Sequence, residues 1–117
     1  MSDEYTNIPV VGLPNLTEVR LYDETLEHIA EHAEFRLQLP SQQTALVEAI
    51  ANPNRAHDST SDPGQSVVLV SESFTYFGDP VHVPVKIVEG TSGRVRTAYF
   101  SSGTYGGRLL WSADDDE

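Results

Sequence analysis

The sequence predicts an α+β domain in which two N-terminal helices pack on an antiparallel sheet of about four strands, in a strand, helix, helix, strand-meander order. Two observations predict it. Apolar residues recur with a period near 3.6 up to Pro53 and with a period near 2 beyond it. The later, strand-like half is cut by short Gly-, Ser- and Asp-containing separators of hairpin length. A chain of 117 residues is the usual size of one domain and buries enough apolar surface to fold without staples.

Residues 1–15 hold Pro9, Gly12, Pro14 and Asn15 without periodicity and read as an extended or disordered arm. The single domain is expected over residues 16–112. Residues 16–22 (LTEVRLY) alternate weakly, as a first strand does, and Asp23 can cap a helix after it. Over residues 24–37, Leu26, Ile29, Ala30, Ala33 and Leu37 form one apolar helical stripe that Pro40 ends. Ser41 caps a second helix with Leu46, Val47 and Ile50 inward, stopped by Asn52 and Pro53.

Residues 54–65 lack any period and read as a polar loop. Strands are then expected over 66–70 or on to 76, over 81–88, over 94–100 and over about 105–111. In the second of these Val81, Val83, Val85 and Ile87 share one side, which leaves His82, Pro84 and Lys86 on the other. The glycines at 103, 106 and 107 lack phosphate-loop spacing and read as turn residues. Residues 113–117, ending in Asp-Asp-Asp-Glu, read as a disordered acidic tail.

The net charge is −11, and it is unevenly spread. Residues 1–51 carry −7 and the final four carry −4, while Arg55, Lys86, Arg94, Arg96 and Arg108 balance the acids between them. An acidic coat repels nucleic acid, yet it leaves room for a cationic cleft in the sheet half. The absence of cysteine excludes disulfides, thiolate metal sites and a cysteine nucleophile. With no long apolar run and an acidic start, the expectation is a cytoplasmic chain with no membrane contact.

Chemistry-bearing residues gather in two places. His28 and His32 lie one helical turn apart within HIAEH, a spacing that suits a shared zinc ion, a general acid or base, or simply a helix surface. Cleavage of RNA by its own 2′-hydroxyl needs only a proton acceptor, a proton donor and cations around the phosphorane. Arg55, Lys86, Arg94 or Arg96 can supply the cations, and His57, Ser59 and Thr60 further phosphate contacts. Thr97 and Tyr99 are two apart on a strand and face one way.

The run VRLYDETLEHIAEHAEF, a helix ending in IANPNRA, the strand VHVPVKIV and the strand GRVRTAYF occur in this order over about residues 16–101. This pattern resembles the phage-associated branch of the barnase, EndoU, colicin and RelE-like (BECR) nuclease superfamily. The resemblance implies a metal-independent endoribonuclease that needs no cofactor, a phage effector or toxin whose partners are RNA and an inhibitor or antitoxin protein. Carried over by position, His28 and His32 match the helix histidines, Arg55 the basic residue after Asn-Pro, Lys86 the end of the valine strand, and Thr97 and Tyr99 the Thr-Ala-Tyr strand. His32 is then the first choice for proton transfer, Thr97 or Tyr99 for holding phosphate, and Lys86 with Arg55 for stabilising charge. Pro84 and the overall acidity depart from the pattern. They favour the alternative, a non-catalytic acidic module that binds a basic protein or mimics nucleic acid. The enzyme reading requires Lys86, Arg55 and one of the two helix histidines to meet in one cleft.

Overall fold

Pairing across the whole chain, more than local sequence, decides this architecture. A computed structural model describes residues 4–13, 15–32, 35, 39–102 and 105–113. Within them β1 (Tyr5–Pro9), β2 (Glu18–Tyr22), α1 (Asp23–Ala30), α2 (Pro40–Ala51), β3 (Arg55–Asp58), β4 (Ser66–Tyr76), β5 (Asp79–Glu89), β6 (Ser92–Val95), β7 (Tyr99–Phe100) and β8 (Leu109–Ser112) run in chain order. The strands form one sheet in the order β1-β2-β6-β5-β4-β3-β8, with β7 paired to β5 beyond the end of β6.

This corrects the expected fold class. The described residues form an eight-stranded mixed sheet, not four antiparallel strands under two leading helices. Both β1 and β2 precede the helices, and β2 runs parallel to β6. The strands missed by sequence reading are short. β1 carries Asn7 and Pro9, and β3 is the tetrapeptide RAHD inside the segment read as a loop. Neither segment alternates apolar with polar residues, so these strands exist only through their partners. The first helix stops at Ala30, short of the predicted stripe. Its later positions Ala33 and Leu37, the turn at 103–104 and the acidic tail at 114–117 lie outside the described residues.

The core lies between the sheet and α2. Val19 and Leu21 of β2, Leu69 of β4, Val81, Val83 and Val85 of β5 and Val95 of β6 point into it and meet Leu46, Ala49 and Ile50 of α2. Ile29 of α1 joins at the end of β2, and Phe35, Phe74 and Phe100 close that end with ring centroids 4.6 to 5.9 Å apart. None of the helices among the described residues is long and apolar enough to cross a membrane.

Candidate functional site

Alternation along each strand fixes what the other face of the sheet carries. Because Val81, Val83 and Val85 are buried in the core, His82, Pro84 and Lys86 project from the face away from α2, as the sequence pattern predicts. By the same rule Glu18, Arg20 and Tyr22 project there from β2, Arg94 from β6, and Arg55 and His57 from β3. Arg96 comes two residues after Arg94, its backbone N–H bonded to the Pro84 carbonyl. Arg108 belongs elsewhere, lining a hollow with the core-side residues Leu16, Ala56 and Ile87.

After β6 the chain continues along β5 into β7, which places Tyr99 directly beside its partner His82, and the residues that follow β7 bring Tyr105 onto this face before β8. Tyr99 stacks on His82 with centroids 5.3 Å apart, and Tyr105 lies 5.7 Å from the His57 ring and 6.1 Å from that of His82. The Tyr105 hydroxyl is fixed by Thr60, 3.2 Å from both its backbone nitrogen and its Oγ1. His57 Nδ1 is 2.9 Å from the Gly107 carbonyl, which can only accept, so Nδ1 carries the proton. His57 Nε2 is buried and has no partner among the described residues.

Between this end of the sheet face and α1 lies a hollow of about 400 Å³. His28 reaches it from α1, Arg96, Thr97 and Tyr99 from the chain after β6, and Ser59, Ser61 and Tyr105 from the loops opposite. Burial holds the Tyr99 phenol above the usual tyrosine range, and the nearby Tyr105 adds to this. At Tyr105 burial pushes the same way, but hydrogen bonds with Thr60 and Ser59 outweigh it and leave that phenol lowered.

Three of the residues named from sequence, His28, Thr97 and Tyr99, thus share one hollow. Lys86 lines the adjoining one with Asp62, its Nζ 2.9 Å from the carboxylate, and the two hollows share Ser61 and Arg96. Arg55 lines a third, beyond Tyr105, and is paired with Glu72 at 2.9 Å. Lys86, Arg55 and a helix histidine therefore do not meet in the one cleft that the enzyme reading required: they line three neighbouring hollows on one face, with Lys86 and Arg55 each engaged by a carboxylate. His32 is exposed, its ring 6.1 Å from that of His28 and outside the hollow's lining. Among the described residues no third His, Asp or Glu joins this pair as a metal site.

No family model, curated protein or solved structure matches the chain.

Geometry alone therefore ranks the residues. Arg96, within the hollow, takes the place sequence reasoning gave to Arg55. Its spacing of two from Arg94, on a strand-like run, was the signal that could have singled it out. Tyr105 gave no such signal, since its place depends on how the chain passes from β7 beside β5 to β8 beside β3, which no local pattern encodes.

Proposed function

We propose that the chain is a metal-independent endoribonuclease acting in the cytoplasm, with the hollow at His28 as its active site. The observation that carries this reading is the meeting of His28, from the helix, with Arg96, Thr97 and Tyr99, from the strand end, around one polar concavity. An imidazole is the side chain best suited to move protons near neutrality. His28 takes the proton of the 2′-hydroxyl as that oxygen attacks phosphorus. Arg96 and the Thr97 hydroxyl hold the non-bridging oxygens as charge builds on the phosphorane. Tyr99, kept protonated by burial, supplies the proton to the departing 5′-oxygen. The bond from phosphorus to that oxygen breaks, leaving a 2′,3′-cyclic phosphate and a 5′-hydroxyl.

The test is incubation of mixed RNA with the protein, with and without chelator, beside His28→Ala and His32→Ala variants. Cleavage is expected to survive chelation, to fall by about 10²- to 10⁴-fold in His28→Ala, and to change only a few-fold in His32→Ala. Cyclic phosphate ends are expected on the products. Wild-type protein that leaves RNA intact, or a His28→Ala variant that cleaves as well as wild type, would remove the reading in favour of a binding module.

A further inference from the structure

We infer that the β1-β2-β6 end of the same face binds the continuation of one RNA strand, so that the substrate is unpaired RNA reaching several nucleotides beyond the cleaved bond. This rests on the cleavage reading of the His28 hollow and deepens it by naming the substrate class. Strand register brings the cations together. Arg20 is the direct partner of Arg94 across the parallel β2-β6 pair, and Arg94 is the direct partner of Lys86 across β6-β5. Three cations thus stand side by side on adjacent strands of a chain that has only seven Lys and Arg and a net charge of −11. Like charges in directly opposed positions destabilise a sheet, and an anion laid along them removes that cost.

The inner member, Lys86, is neutralised by Asp62. Among the described residues Arg94 has no ion-pair partner and is exposed. Its guanidinium lies 4.5 Å from the centroid of Tyr22, that of Arg20 lies 5.2 Å from the centroid of Tyr5, and the two rings are 5.0 Å apart. This is a ladder of flat groups, cation and ring together, with Tyr5 45% exposed at its outer end. Guanidinium and phenol planes stack on bases and guanidinium edges hold phosphates, a combination that suits strands whose bases are free of a duplex.

The ladder is continuous with the hollow. Arg96 lines the hollow, and Arg94 projects from the same face two residues earlier, about 7 Å along the strand. A strand whose scissile phosphate sits at Arg96 therefore meets Arg94 at an adjacent phosphate and the tyrosine ladder next. Glu18 bounds the track. Its carboxylate accepts from Asn7 Nδ2 at 3.0 Å and from Ser92 Oγ at 2.7 Å, and it turns away further phosphates.

The experiment uses the whole chain and labelled 2′-O-methyl RNA, which cannot be cleaved, as three- and nine-nucleotide strands and as a nine-pair duplex. Arg94→Ala, Arg94→Lys and Tyr22→Leu are compared with wild type after circular dichroism establishes that each is folded. The nine-nucleotide strand is expected to bind wild type more tightly than the short strand or the duplex. Arg94→Ala is expected to weaken it about fivefold or more and to lower the salt slope by about 0.7, while Arg94→Lys restores the slope but not the affinity. Equal binding of the long strand by wild type and Arg94→Ala would overturn the inference. So would a preference for the duplex, or displacement by polyglutamate as effective as by unlabelled RNA. Cleavage of unmodified RNA by wild type is scored separately. Cleavage without dependence of binding on Arg94 sinks the track and leaves the hollow, whereas Arg94-dependent binding without cleavage upholds the track and removes the nuclease reading.

Discussion

His82 lies under the ring of Tyr99 with 1% of its surface exposed, a costly place for an imidazolium. Burial holds its pKa below the ordinary 6.5, Arg55 and His57 push the same way, and the Pro80 carbonyl only partly opposes them. The unfolded chain therefore takes up this proton at a higher pH than the folded one. Between those two values the unfolded state binds more protons, so stability is full above pH 6.5 and falls as the pH drops toward the folded pKa. Urea midpoints measured from about pH 8 to about pH 5 are expected to show this decline in wild type and a shallower one in His82→Gln. The position of His82 on the face away from α2 was legible in the sequence, because strict alternation of Val81, Val83 and Val85 leaves it nowhere else. Its burial was not, since that comes from Tyr99, its partner on β7, and from Tyr105, which the connection to β8 brings onto the face. The same distinction applies to the hollow. Thr97 and Tyr99 could be paired by spacing, whereas the place of His28 beside them depends on how α1 leaves β2.

At the scale of elements, the hairpin between β4 and β5 combines two opposed demands. Tyr76 pairs with Asp79, so Phe77 and Gly78 form a two-residue turn, with φ of 51° and 88°. This geometry favours Asn-Gly, and a left-handed phenylalanine costs about 1–2 kcal/mol. Phe77 is also 90% exposed and gains little beyond its edge contact with Tyr76. Phe77→Asn is accordingly expected to stabilise the fold by about 0.5–1 kcal/mol in urea titration. Gly93 presents the reverse case. A Cβ there would lie 2.5 Å from Val85 Cγ1 and 3.0 Å from Leu16 Cδ1, so Gly93→Ala is expected to cost about 1–3 kcal/mol by the same measurement. Sequence pattern found β4 and β5 because each of these strands spans eleven residues, long enough to show a period. It missed β1 and β3, whose Asn, Pro, His and Asp are tolerated only because β2 and β4 supply the ladder.

Across the whole molecule, the cations gather on one face, where Glu18, Asp62 and Glu72 accompany them. Among the described residues, five of six Lys and Arg project from the side away from α2, against a net −11 for the chain. Salt therefore acts in two directions. Added sodium chloride is expected to raise the thermal midpoint by screening the acidic coat, while weakening the proposed binding of RNA phosphates. Parallel thermal and binding titrations over one salt series check this, and a thermal midpoint that falls with salt would refute the screening. The sequence did disclose that the sheet half was the electroneutral part, but Arg20, from the acidic half, reached this face through a pairing between residues 74 apart, Glu18 with Ser92 and its neighbours. That pairing also sets a schedule for biosynthesis. Since β2 can join the sheet only after β6 has left the ribosome, a growing chain has neither its row of cations nor its hollow until the residues of β6 and β7 have emerged, more than seventy positions after those of β2.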